Sequence, residues 1–138
     1  MSETLPKTDP KDINWSSLGF GYMPTNSYVR TTWLDGKWSE PVLINEPTIT
    51  MSIAATCLHY GQAAFEGLKA FRQKDGKVRC LRPWENVKRM NLAADYMLAP
   101  AIPEELYLQM IQMVIKDNIE YVPPYGTGGA LYIRPLLI

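Results

Sequence analysis

Two Asp-Gly pairs, Asp35-Gly36 and Asp75-Gly76, constrain this chain more than any other feature. Glycine takes the positive φ that tight hairpin turns require, and aspartate tolerates it, so Asp-Gly between apolar runs closes a hairpin. The first pair lies between residues 28–34 and a run around 38–44. The second lies between 65–72, which alternates apolar and polar residues, and 78–82. Strands joined this way run antiparallel and have one face to bury.

Helical patterns supply the cover. Pro83 can open a helix at its first position, where a missing N–H costs nothing. Val87, Met90, Ala94 and Met97 then recur at spacings of three and four. A second helix is expected to begin near Ala101-Ile102-Pro103-Glu104-Glu105, where two acids complement the positive dipole end. Leu108, Ile111, Ile115 and Ile119 stripe it to about residue 120. Residues 51–63, rich in Ala, Met and Leu, are expected to contain a short helix. A turn-rich stretch, 123–129, precedes a last apolar strand, 130–138.

The expectation is an α+β fold, an antiparallel sheet of hairpin-connected strands with helices packed on it. Residues 1–18, rich in Pro, Asp, Ser and Lys, read as a flexible arm, and 19–138 as one α+β domain, with no internal repeat. The 138 residues suit one domain, and an apolar share of 46% provides a core. The chain closes on Leu136-Leu137-Ile138, an apolar strand expected to continue into something further. The alternative is that it tucks into the core.

Lysine plus arginine equals aspartate plus glutamate at 14 each, so no basic excess points to nucleic acid or an anionic membrane. No apolar run reaches the roughly 18–20 residues a bilayer requires. The polar N-terminus does not read as a secretory signal. Cys57 and Cys80 show neither metal spacing nor a disulfide framework. A soluble, reducing, cytoplasmic setting is expected.

Side chains two apart on a strand share a face. Tyr132 and Arg134 therefore lie together in the last strand, with Leu131 and Ile133 opposite. A phenol beside a guanidinium suits a carboxylate or phosphate, while a solvated edge strand near Pro135 is the plainer alternative. Phe65, Gly67, Lys69 and Phe71 share a face of the earlier strand, where Gly67 marks a bulge or the close approach of a ligand. Lys69 could form a Schiff base, although most strand lysines are simply solvated. Arg89 follows Glu85 by four residues, which a surface ion pair would explain. His59, the only histidine, reads as a hydrogen-bonded structural residue. No Walker A or GxGxxG loop occurs.

Taken in order, several motifs resemble the N-terminal domain of the branched-chain amino-acid aminotransferases, of aminotransferase class IV. They are Leu58-His59-Tyr60-Gly61-Gln62, Phe65-Glu66-Gly67-Leu68-Lys69-Ala70-Phe71, Arg82-Pro83-Trp84, Asn86-Val87-Lys88-Arg89-Met90 and Leu131-Tyr132-Ile133-Arg134-Pro135. Leu18-Gly19-Phe20-Gly21-Tyr22-Met23 is similar to the opening of the longer form of these enzymes. The resemblance implies a pyridoxal 5′-phosphate enzyme in which two domains enclose the cofactor. It implies transfer of the amino group between leucine, isoleucine or valine and 2-oxoglutarate. Arg89 would hold the cofactor phosphate, displacing the ion-pair reading. Phe20, Phe65 and Tyr132 would line the side-chain pocket, with Gly67 leaving room. Arg134 would place a substrate carboxylate, and Tyr60 would reach a partner subunit's pocket, implying a homodimer.

The same resemblance puts the Schiff-base lysine, the glutamate facing the pyridine nitrogen and most phosphate contacts in a C-terminal cofactor-binding domain outside this sequence. Lys69 matches a first-domain strand position and not that lysine, so this chain alone is expected to be inactive. A related class IV enzyme, a D-amino-acid aminotransferase or aminodeoxychorismate lyase, is one alternative. A nonenzymatic self-associating domain is another.

Overall fold

The structure, a computed structural model, describes residues 6–138. The first five residues of the expected arm lie outside the described residues. Within the rest of that segment, Asp9 and Asn14 side chains cap two 3-10 turns, Pro10–Asp12 and Trp15–Ser17. Ile13 between them is buried, and the Tyr121 hydroxyl donates to the Thr8 carbonyl at 3.1 Å.

Strands β1 (Tyr28–Arg30), β2 (Trp33–Leu34), β3 (Lys37–Trp38) and β4 (Val42–Ile44) form the first antiparallel ribbon. Asp35 and Gly36 both take positive φ, 50° and 78°, the two-residue turn that their identities predict. The ribbon is not one continuous ladder. Trp33 pairs with Trp38, but Arg30 pairs with Val42, so one extra residue is absorbed around Glu40 and Pro41. Proline has no N–H to give the ladder, and a bulge there lets the strand continue.

After the short helix α1 (Thr56–His59) come β5 (Ala64–Phe65), β6 (Leu68–Arg72) and β7 (Val78–Cys80). The second Asp-Gly closes β6 onto β7 through a longer turn. Gln73 N–H bonds the Lys77 carbonyl at 2.8 Å, and Gly76 alone takes the left-handed conformation, at φ 78°. Two helices follow, α2 (Pro83–Tyr96) and α3 (Glu104–Asp117), then β8 (Leu131–Ile133) and β9 (Leu136–Leu137).

The antiparallel pairing is divided among four small sheets, β1-β4, β2-β3, β5-β9 and β7-β6-β8, where the sequence suggests one sheet. β8 joins β6 from across the chain and not through a hairpin. The runs 65–72 and 130–138 each split in two, at the same level. Pairing of Phe65 with Leu136 and of Leu68 with Ile133 keeps one register across the gap. Gly67 is therefore not a bulge. Glu66 N–H still reaches the Pro135 carbonyl at 3.0 Å, and the gap falls where Pro135 cannot donate in return.

Ala64, Leu68, Ala70 and Ile133 face inward and pack against Val87 and Met90 of α2 and against Ile102, Tyr107 and Ile111. Pro83 opens α2 as expected, and Val87, Met90 and Ala94 are buried along it. Asn91 clamps the following segment, bonding both the N–H and the carbonyl of Ile102 at 2.8 and 2.9 Å. α3 ends at Asp117, short of residue 120. Asn118, 1% exposed, bonds the Val114 and Ser27 carbonyls and accepts from the Asn26 and Ser27 N–H groups. Ile119 consequently starts a 3-10 turn and is exposed, whereas Tyr107 fills the core position that the apolar stripe misses.

Candidate functional site

The sheet has one packed face and one open face, and the open face carries most of the expected site. Phe65, Lys69, Phe71, Tyr132 and Leu136 all point outward. Across β6 and β8, Lys69 sits opposite Tyr132, and across β5 and β9, Phe65 sits opposite Leu136. Pleating alone produces this wall, since residues two apart on neighbouring strands stack on one side.

Arg134 lies over that wall. Its guanidinium carbon is 4.4 Å from the centre of the Phe65 ring and 5.2 Å from that of Tyr132. One Nη2–H donates to the Tyr132 hydroxyl at 2.9 Å. The ring contacts and this bond hold the cation against the wall, and the bond to Tyr132 uses one of its five N–H donors. A planar guanidinium so held can take a carboxylate by two parallel bonds. The surrounding rings offer contact to an aliphatic chain when no carboxylate is there.

Gly67 explains how Tyr132 lies so low. A methyl group at residue 67 would sit 2.2 Å from the Tyr132 hydroxyl oxygen and 2.9 Å from its ring. The close approach is thus between Gly67 and the chain's own phenol.

Arg89 stands beside this wall on α2. It does not pair with Glu85, whose carboxylate takes Lys88 at 2.9 Å. Instead Arg89 Nε and Nη2 donate to the two oxygens of Glu66 at 2.9 and 2.8 Å. Glu66 has the inward parity of its strand, so its carboxylate is aimed at the flank of α2. There the Asn86 amide donates to it at 2.8 Å and to the Gly67 carbonyl at 3.2 Å. The Arg89 hydrogen bond holds the Glu66 carboxyl below the usual carboxylate range, against the opposing effect of burial, with Asn86 adding to the lowering.

Gly67, Lys69, Arg82, Asn86, Arg89 and Tyr132 border a shallow groove of about 340 Å³. Three cations, Lys69, Arg82 and Arg89, line it with a single carboxylate, Glu85, which Lys88 already engages, and this balance suits an anionic group. Glu66 and Asn86 are the site residues that sequence reasoning missed. The available signal was a carboxylate at an inward position of an alternating strand, where an acid needs a partner.

Phe20 and Tyr60 are not brought to this cluster. Both are almost wholly exposed, and no hydrogen bond or cation–π contact among the described residues links them to Tyr132 or Arg134. A His59 ring nitrogen lies 2.6 Å from the Ile53 carbonyl oxygen, a structural contact of the kind expected. Among the described residues no helix is long and apolar enough to cross a membrane.

No family model matches the chain. It is 44% identical over 128 residues to a branched-chain-amino-acid aminotransferase of Haemophilus influenzae, covering 93% of this chain and 37% of that protein. A branched-chain-amino-acid aminotransferase of Helicobacter pylori is 41% identical over 93% of this chain and 38% of its own length. A chloroplastic branched-chain-amino-acid aminotransferase 3 of Arabidopsis thaliana is 41% identical over 95% of this chain and 32% of its own length. The chain thus spans about a third of the length of the curated relatives it matches. With its antiparallel sheets, packed helices and alignment over nearly its whole length, this chain belongs to the branched-chain amino-acid aminotransferase family.

Proposed function

We propose that the chain forms the N-terminal, substrate-side domain of a branched-chain amino-acid aminotransferase that exchanges amino groups between leucine, isoleucine or valine and 2-oxoglutarate. The observation that carries this reading is Arg134, stacked on Phe65 and bonded to Tyr132 on an open aromatic face. Such a site has to accept an aliphatic side chain in one half-reaction and a carboxylate-bearing one in the other. A wall of apolar rings with one guanidinium at hand does both, because a carboxylate entering an apolar site needs a cationic partner.

The cofactor of this reading is pyridoxal 5′-phosphate, and the chain's own residues fit its phosphate. Glu66 occupies only the Nε–Nη2 edge of Arg89, so the end-on Nη1–Nη2 edge remains for an anion. Arg82 and Lys69 border the same groove. When bound, the cofactor supplies the electron sink for the chemistry. This chain's part is to hold the phosphate with Arg89, to line the pocket with Phe65 and Tyr132, and to place a carboxylate with Arg134. The lysine that moves the proton comes from a cofactor-binding domain beyond these residues, so the chain alone is inactive. Tyr60, projecting from its loop, reaches the pocket of a second subunit in a homodimer, and the setting is cytoplasmic.

Amino transfer from leucine to 2-oxoglutarate, assayed in the protein that carries this chain, is the direct test. Activity with leucine and its loss in Arg134→Ala for the 2-oxoglutarate half-reaction are expected. A preference for D-alanine would move the assignment to another class IV enzyme.

A further inference from the structure

We propose that Glu66 is a positioning residue: it grips the Arg89 guanidinium by its Nε–Nη2 edge and thereby presents the adjoining Nη1–Nη2 edge to the phosphate of the bound cofactor. The proposal rests on the phosphate role given to Arg89 above. It begins from an oddity of placement. Arginine on an exposed helix flank has many rotamers, and Arg89 has Glu85 one turn before it on the same helix. Left to itself, Arg89 would divide its time among rotamers, some of them on that carboxylate, with no edge of its guanidinium held in place.

Glu66 removes that freedom. Its side chain is only 13% exposed, against 57% for Arg89, so the acid is the fixed half of the pair and the cation the half that can be reached. Three features immobilise it. Both its oxygens are engaged by Arg89 at 2.9 and 2.8 Å, one also accepts from Asn86 at 2.8 Å, and its own N–H is bonded to Pro135 at 3.0 Å. Lys88 meanwhile occupies Glu85 at 2.9 Å. A guanidinium carries five N–H donors, and a side-on carboxylate uses two of them. The two that form the end-on fork remain, already oriented. Glu66 follows Phe65 and precedes Gly67, so the same three residues set the aromatic wall, the cation and the space for Tyr132.

Charge alone and positioning make opposite forecasts. Removing a negative charge beside an anion site should tighten anion binding. Removing the group that aims the cation should weaken it, because Arg89 is then free to fall onto Glu85. Inorganic phosphate titrated into the ¹⁵N-labelled 138-residue chain separates them, with affinity read from saturable shifts of the Gly67 and Asn86 backbone amides. The Arg89 Nε–H resonance reports the grip of Glu66 directly. In the native chain that resonance is slow to exchange and the amide shifts saturate. In Glu66→Gln the resonance loses its protection, and phosphate binds at least about three-fold more weakly. Glu66→Asp keeps the charge but shortens the reach, and it weakens binding as well. It carries the test alone if circular dichroism shows that Glu66→Gln does not fold.

Binding in these variants as tight as native or tighter, while still abolished by Arg89→Ala, overturns the positioning role and leaves the phosphate reading standing. Native shifts that do not saturate, or saturation that survives Arg89→Ala, overturn the phosphate reading and the proposal with it.

Discussion

At the scale of single residues, Gly67 and Glu66 shape the candidate site through contacts within the chain itself. Gly67 lets the Tyr132 phenol lie against the backbone, where an added methyl group would meet its oxygen at 2.2 Å. No positive φ is involved, so Gly67→Ala strains contacts and not the backbone. The half-exposed ring can swing out, at the expense of its bond to Arg134. Gly67→Ala is therefore expected to cost about 1 kcal/mol or less of stability. Most of that cost disappears in a Tyr132→Ala background. Equal costs in both backgrounds in a double-mutant unfolding cycle would contradict the contact. Glu66 makes a prediction about pH. Its carboxyl is depressed chiefly by Arg89, opposed by burial and helped by Asn86. A group with a lowered folded-state pKa stabilises the protein above its unfolded-state value and loses that contribution as pH falls through the folded one. The stability gap between the native chain and Glu66→Gln should thus be open near neutrality and close on acidification. The core phenol Tyr107, held above the usual tyrosine range by burial, titrates far from the acid range and drops out of the difference. A gap that stays constant into the acid range argues against the pair.

At the scale of elements, the sequence was most legible where local chemistry decides the outcome. Asp35-Gly36 made its turn, Pro83 opened α2, and Val87, Met90 and Ala94 went inside. Alternation also put Phe65, Lys69 and Tyr132 on one face. What it could not reveal depended on partners distant in sequence. α3 stops where Asn118 is tied to Ser27, some 90 residues earlier. The Arg89 partner is Glu66 and not the nearer Glu85, because a strand brings the farther acid to the helix flank. α2 closes in a way its sequence does not advertise. Leu98 takes φ 56°, its N–H bonds the Asp95 carbonyl at 3.1 Å, and Ala99 N–H bonds that of Ala94 at 2.9 Å. This terminal motif favours glycine, and Leu98 is almost fully exposed, so its side chain gives little in return. Leu98→Gly is expected to raise stability by about 0.5–1 kcal/mol, the strain of a left-handed non-glycine residue less the added chain entropy. A lowered melting temperature would show that the Leu98 side chain is needed where it is.

At the scale of the whole molecule, the helices cover only one side of the β6-centred sheet, while Phe65, Phe71, Tyr132 and Leu136 remain exposed on the other. The relatives it matches are much longer than this chain. In the proposed enzyme the face becomes one wall of a pocket, Arg89 its phosphate hook, and the proton-moving lysine arrives from outside. Lys69 lies on this wall, opposite Tyr132, and is the only lysine bordering the groove among the described residues. The most direct measurement is therefore incubation of the 138-residue chain with pyridoxal 5′-phosphate and borohydride, followed by peptide mass spectrometry. The account predicts that no lysine is labelled stoichiometrically. Clean, stoichiometric labelling at Lys69 would mean that the chain carries its own cofactor lysine, and would contradict the division of labour proposed for it.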